Sequence, residues 1–354
     1  LHADRQVDGR QAVVRNGYLP GRTIQTGLGE VPVKVPKVRD RSGRGIKFNS
    51  KLVPPYLKRT KSIEDFIPWL YLKGISTGDF SEALAALLGP HAKGLSAKTI
   101  TRLKAAWWED YEAWQKRDLG TRRFLYIWAD GVYFNARIEG DRSCLLVIIG
   151  AKYNGDKELL GIQAGYRESE ESWTALLLEL KDRGMEVAPK LAVADGALGF
   201  WKALPKVFPT TKGQRCWVHK AANVLDKMPK KVQPQAKRMI HEIYMAETED
   251  DATSAFDRFI RTYEDKYENA VATLVKDRDL LLSFYQFPAA HWRHIRTTNV
   301  IESVFATVRL RTYRTKGMGT HRTTLAMAFK LIKEAEKRWH KIAKWNQLEL
   351  VHAG

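Results

Sequence analysis

Phe124-Leu125-Tyr126-Ile127-Trp128-Ala129-Asp130-Gly131 is the stretch that decides the fold. Its apolar run is too short for a helix and ends at an Asp-Gly pair, so it reads as a buried strand. Working outward, Leu145 to Lys152 and Glu158 to Ala164 are two more strand-like runs. Asn154-Gly155 joins them, the strongest short hairpin signal. A helix is expected from Ser172 through Trp173, Leu176, Leu177 and Leu180 to Gly184. A fourth strand, Leu191-Ala192-Val193-Ala194, ends at Asp195-Gly196, and a helix carrying Phe200, Trp201, Leu204 and Val207 follows. Strand, hairpin, helix, strand, helix is the order of an α/β sheet flanked by helices.

The flanks differ from this core. Residues 220–290 show no strand pattern, and helical spacing such as Ala255, Phe259, Tyr263 marks an all-helical insertion. Upstream, Ile63, Phe66, Ile67, Leu70 and Tyr71 predict a helix stopped by Gly74. A second is capped by Ser76-Thr77 and ended by Gly89-Pro90, and a third is capped by Ser96 and runs through Ile100, Leu103, Trp107 and Trp108. Three short helices with Gly turns resemble a helix-turn-helix unit whose third helix presents Lys98, Thr99, Arg102 and Lys104 to the major groove. A plain supporting bundle fits the same generic pattern. Residues 1–61, rich in Gly, Pro, Arg and Lys, read as an extended basic arm with one small hairpin, because the prolines around Val31 to Val35 argue against a central strand. The expected division is 1–61, 62–118, 119–219, 220–290 and a final segment, 291–354, that completes the core and adds basic C-terminal helices.

In 354 residues there are 59 Lys+Arg against 40 Asp+Glu, a net +19, with 44% hydrophobic residues, enough to bury a core and exclude a disordered chain. The excess sits at the ends: residues 1–62 hold 14 Lys+Arg and 4 Asp+Glu, and residues 303–354 hold 11 and 3. Basic ends around a balanced middle point to a polyanion, although charge alone equally describes a solvated surface. The two cysteines, Cys144 and Cys216, exclude a disulfide scaffold. No apolar stretch is long enough to span a bilayer and no signal peptide opens the chain, so a soluble intracellular protein is expected. The chain begins at Leu1 without an initiator Met, which leaves room for a preceding piece.

Asp130 and Asp195 both sit where an apolar strand meets a Gly, and ligands gather at strand ends in open α/β sheets. Either Asp alone would pass for a turn residue. In the helix from Asn299, however, Val300, Ile301, Val304, Phe305 and Val308 form one apolar stripe, leaving Asn299, Glu302, Ala306 and Arg309 on the opposite side. Glu302 therefore reads either as an ordinary solvated Glu or as the residue that completes an acidic cluster. Two Asp and one Glu supply hard oxygen ligands for divalent cations, as two-metal phosphoryl transfer requires. Asn299 and Arg309 share the Glu302 face and are candidates to position the Glu or a phosphate, although a solvated helix face fits the same placement; Arg311, Arg314 and Lys316 are candidate DNA contacts further on. Cys216 and His219 form a C-x-x-H pair with no second pair to complete a structural zinc site, so packing or hydrogen bonding beside the active site is the preferred role and zinc the lesser one.

Together, Trp128-Ala129-Asp130-Gly131, Val193-Ala194-Asp195-Gly196, Gln214-Arg215-Cys216-Trp217-Val218-His219-Lys220 and Arg296-Thr297-Thr298-Asn299-Val300-Ile301-Glu302-Ser303 resemble the catalytic blocks of the Mutator-type bacterial transposases, the insertion sequence 256 family. The resemblance runs from Arg15-Asn16-Gly17-Tyr18 to about Lys341 and includes Lys73 to Thr77 and Glu171-Ser172-Trp173. It implies an RNase H-like core with a mixed five-stranded sheet, interrupted by a helical insertion, and an Asp130, Asp195, Glu302 triad. It also implies Mg²⁺ with Mn²⁺ as a substitute, cleavage of element ends and joining of the 3′-hydroxyl to DNA. The partners implied are terminal inverted repeats, target DNA and further copies of the chain, in a bacterial cytoplasm and nucleoid. Two rivals are a nuclease on the same core that hydrolyses without joining, and a DNA-binding regulator with a spent site.

Overall fold

The computed structural model describes residues 5–26, 29–60, 97–135, 142–165, 167–196, 198–314 and 320–353, with the isolated positions 70, 72, 75, 82 and 84–86. It divides into two compact units, Leu1–Leu103 and Lys104–Gly354. In the first, β1 (Val13–Tyr18) pairs antiparallel with β4 (Pro36–Asp40), and β2 (Arg22–Thr26) pairs antiparallel with β3 (Gly29–Val33). The expected arm with one hairpin is thus two small sheets. In a two-stranded sheet every strand is an edge, so Pro32 and Pro36 are accommodated where a central strand would exclude them. The helices expected between residues 62 and 96, and the helix-turn-helix they would make, lie outside the described residues except at those isolated positions. The third helix is described: α1 spans Ala97–Gln115, well past Trp108.

The second unit is built on a mixed sheet, five-stranded among the described residues. Its strands are β5 (Phe124–Asn135), β6 (Arg142–Lys152), β7 (Lys157–Gly165), β8 (Leu191–Ala194) and β9 (Lys212–Arg215), in the order β7-β6-β5-β8-β9. Three strands meander antiparallel, and β5, β8 and β9 run parallel. Gly155 takes φ +80° in the hairpin turn that Asn154-Gly155 predicts. Contrary to the sequence reading, β5 does not end at Asp130-Gly131. It continues to Asn135 because β6 pairs with it as far as Arg142; what ends beside Asp130 is the parallel pairing with β8, at Ala129–Ala194.

Strand alternation divides the β5 side chains between two covers. Ile127 and Ala129, with Ala192 and Ala194 of β8, pack into a core with Trp173, Leu176, Phe200 and Leu204 of α2 (Glu170–Asp182) and α3 (Leu198–Val207). The cap of α2 is Ser169, whose Oγ accepts from Ser172 N at 3.2 Å, so the helix starts ahead of Ser172. On the opposite face, Tyr126 Oη meets His291 Nδ1 at 2.9 Å and Trp128 Nε1 donates to His294 O at 3.0 Å.

Past β9 the described residues contain helices and no strand. These are α4 (Trp217–Leu225), α5 (Gln233–Met245), α6 (Glu249–Tyr263), α7 (Glu268–Val275), α8 (Arg278–Leu282), α9 (Trp292–Ile295), α10 (Asn299–Arg314), α11 (His321–Glu336) and α12 (Leu348–Ala353). Ile240, Ile243, Phe256, Phe259 and Leu274 are buried in the segment between residues 220 and 290. Among the described residues no helix is long and apolar enough to cross a membrane.

The packing of residues 291–294 against β5 carries a pH signature. Burial, with the Lys157 and Arg293 cations nearby, pushes His294 from an ordinary 6.5 down to about 4, and its Nε2 accepts from Ala343 N at 3.1 Å. The unfolded chain binds this proton more readily than the folded one, so its contribution is complete above about pH 6.5 and is lost as pH falls toward 4. His294→Gln, which accepts the same bond without titrating, should flatten the fall of the unfolding midpoint across that window. Parallel pH profiles for the two proteins would contradict this.

Candidate active site

The parallel register places Asp130 and Asp195 one position beyond the Ala129–Ala194 pair, level on adjacent strands and on the face shared with Trp128 and Val193. Cys216 follows just past the end of the third strand, one position beyond Arg215, which pairs with Ala194; its N–H donates to Ala194 O at 2.8 Å. Asp130 is 7% exposed. Burial first and the neighbouring Asp195 carboxylate second push the Asp130 carboxyl up to about 7. Its Oδ1 accepts from Gly131 N at 2.9 Å. The backbone at Asp195 is clamped, its carbonyl accepting from Arg215 Nη1 and from Trp201 Nε1, each at 2.8 Å. Arg215 is in turn paired with Asp277 at 3.2 Å.

Glu302 lies in the first turn of α10, whose stripe of Ile301, Val304, Phe305 and Val308 is buried as its spacing predicts. The side chain is half-buried and tied to the C-x-x-H pair. Thr298 Oγ1 lies 3.0 Å from Glu302 Oε1 and 3.2 Å from Cys216 Sγ, so its single proton serves one or the other. Thr298 N also donates to Cys216 Sγ at 3.3 Å, and His219 Nε2 is 3.7 Å from Glu302 Oε1. The Cys216 hydrogen bond, with the thiol and the Glu302 and Asp130 carboxylates adding their attraction, raises His219 to about 9, so the imidazole is charged at neutral pH. Burial alone would raise Cys216; hydrogen bonds from His219 and Thr298 instead bring it below the ordinary thiol value. His219 comes from the first turn of α4, and Trp217 N donates to Arg296 O at 3.0 Å, fastening α4 to the segment leading into α10.

Glu168, which the sequence reading passed over, joins the cluster from the other side. It precedes the Ser169 cap of α2, and burial followed by the Asp195 charge raises its carboxyl to about 7. Thr298 was also missed, although it lies inside the motif around Glu302. For both, position was the signal: each falls where an element begins beside a conspicuous acidic motif. Asn299 and Arg309 are exposed on α10, with Arg309 over the Phe305 ring at 5.9 Å. Among the candidate DNA contacts on α1, Arg102 is exposed and Lys104 half-buried; the side chains of Lys98 and Thr99, and of Arg311 and Arg314 on α10, lie outside the description, as does all of Lys316.

Two donor sets lie around these strand ends, and among the described residues only the softer one closes to within 4.8 Å. Asp130, Asp195, Glu168 and Glu302 offer carboxylate oxygens, the ligands of Mg²⁺ and Mn²⁺. Their fit to a hard cation rests on two observations: Asp130 and Asp195 follow directly on the paired Ala129 and Ala194 of adjacent strands, and Asp130 is driven toward neutrality unless positive charge is supplied. The softer set, Cys216 Sγ, a His219 nitrogen and a Glu302 oxygen, lies within 4.8 Å of one another, but thiol and imidazole are already engaged with Thr298 and each other.

The sequence profile described as "Transposase, Mutator family" matches residues 2–342. The transposase for insertion sequence element IS6120 of Mycolicibacterium smegmatis is 51% identical over 82% of this chain and 90% of its own. That for IST2 of Acidithiobacillus ferrooxidans is 51% identical over 73% of this chain and 87% of its own. That for IS256 in transposon Tn4001 of Staphylococcus aureus is 29% identical over 84% and 74%. The chain belongs to the Mutator family of transposases, which act on DNA.

Glycine spacing around the site is testable. A Cβ on Gly199 would lie 2.3 Å from Glu168 O and 2.6 Å from Ser169 C, both backbone atoms, whereas one on Gly196 would meet only the Arg215 side chain, at 3.1 Å. Gly199→Ala should lower stability by about 1–3 kcal/mol and Gly196→Ala by less, read by urea unfolding. Equal losses would show that the α2–α3 approach is not the tight contact described.

Proposed function

We propose that this transposase cuts element ends and joins the freed 3′-hydroxyl to DNA on an RNase H-like core, with Asp130, Asp195 and Glu302 holding two Mg²⁺ ions, for which Mn²⁺ can substitute. The observation that carries the reading is the level placement of Asp130 and Asp195 on adjacent parallel strands, with Glu302 beside them across His219. When bound, the two ions would activate the attacking water or hydroxyl and stabilise the leaving oxygen. The chain's own share is positioning. The Asp195 main chain is held by Arg215 and Trp201, and Asp130 by its bond from Gly131 N. Thr298 and charged His219 hold the Glu302 carboxylate in place. Cys216 supports that imidazole, consistent with a supporting role for the C-x-x-H pair.

DNA is the proposed partner of the basic ends, as terminal inverted repeats and as target, with two or more copies of the chain assembled on it. Arg102, Lys104, Lys98 and Thr99, together with Arg311, Arg314 and Lys316, are the proposed contacts, Asn299 and Arg309 the proposed positioning residues on the Glu302 face. The helical DNA-binding region over 62–118 and the insertion over 220–290 belong to the same proposal, as does a cytoplasmic, nucleoid-associated location.

Labelled element ends incubated with Mg²⁺ should be nicked and joined, and EDTA should stop both steps. Asp130→Asn, Asp195→Asn and Glu302→Gln should each remove activity by several orders of magnitude while retaining DNA binding. Full activity in any of the three sinks the assignment, and cleavage without a joined product favours the nuclease. Removing residues 1–61 should weaken binding and reduce the slope of log affinity against log salt, since phosphate contacts release counterions; an unchanged slope would mark the segment as a solubilising surface.

A further inference from the structure

Gly131 and Gly199 lie on different elements, yet both are kept bare by the same residue. A Cβ on Gly199 would strike the Glu168 carbonyl oxygen at 2.3 Å, and a Cβ on Gly131 would strike the Glu168 carboxyl, 2.4 Å from Cδ and 2.5 Å from Oε1. Contacts this short are not met by real side chains, so a bare position 131 is what admits the carboxyl to the strand. Because side chains alternate along β5, position 131 faces the α2 side while Asp130 faces the side of α10. Glu168 therefore reaches the acidic row from the face opposite Glu302. There it feels Asp195, Asp130 and His219, and its side chain is hydrogen-bonded to Tyr133. Among the described residues, His219 is the cation that perturbs it.

We propose that Glu168 is a fourth carboxylate of the divalent-cation site, closing it from the α2 side as Glu302 closes it from the α10 side. The inference rests on the two-cation reading above and extends it to a residue outside the triad. A Glu kept only to bond Tyr133 or to lead into the Ser169 cap would do so as well as an amide. One placed against two other carboxylates gains only when a cation joins them.

Mn²⁺ titration of the full chain, following the free-ion electron paramagnetic resonance signal, separates these roles. Glu168→Gln should weaken Mn²⁺ binding on the order of 10- to 100-fold without lowering the metal-free unfolding midpoint. Gly131→Ala, which leaves all four carboxylates in the chain but displaces this one, should weaken it similarly, whereas Glu168→Asp should retain part of the affinity and Tyr133→Phe nearly all of it. Wild-type affinity in both Glu168→Gln and Gly131→Ala, with binding lost in Asp130→Asn, would overturn the role of Glu168 and leave the triad standing. Unchanged binding in Asp130→Asn as well, or no binding by the wild type, would overturn the two-cation reading and this inference together.

Discussion

Like-charge repulsion between Asp130 and Asp195, enforced by the backbone, is the constraint around which the site is arranged. Adjacent parallel strands are separated by about 4.8 Å, and two carboxylates at about 5 Å repel by roughly 3 kcal/mol at an effective dielectric near 20. The chain cannot relieve this by sliding: the Ala129–Ala194 register belongs to a core in which Ile127, Ala129, Ala192 and Ala194 pack against Trp173 and Phe200. A one-residue slip would turn all of these side chains over. The repulsion adds to burial in raising the Asp130 carboxyl, and donors are concentrated around the row.

Those donors come from segments distant in sequence. Arg215 and Trp201 hold the Asp195 carbonyl, and Thr298 with His219 holds Glu302. Buried Gln214 bonds Leu281 O at 3.0 Å and accepts from Phe284 N at 2.8 Å, tying the sheet's last strand to the end of the long helical segment. Trp217 Nε1 donates to the same Leu281 carbonyl at 2.8 Å. The separation of 107 positions from Asp195 to Glu302 is thus bridged by fixed contacts, and α10 is delivered to the row by packed neighbours.

Much of this architecture was legible. The apolar runs at Phe124, Leu145, Glu158 and Leu191, the Asn154-Gly155 turn and the stripe of α10 were readable because periodicity reports burial directly. β9 was not, since Lys212-Gly213-Gln214-Arg215 has no apolar signature and becomes a strand only by pairing with β8. The continuation of β5 to Asn135 was hidden for the same reason: its partner, β6, is set by tertiary pairing. In residues 5–60 the prolines concealed two sheets, because edge pairing tolerates what a central strand does not. Within the site, Asp130, Asp195 and Glu302 stood out through position and motif. Glu168 did not, because its approach depends on bare Gly131, a relation between residues 37 positions apart that no local pattern records.

The most direct measurement of the central claim is diffraction from crystals of the full chain grown with Mn²⁺, recorded at a wavelength where manganese scatters anomalously. Anomalous peaks lying between the Asp130, Asp195 and Glu302 carboxylates are the predicted result. Manganese absent from Asp130 and Asp195, or seated only on Cys216 and His219, would contradict it.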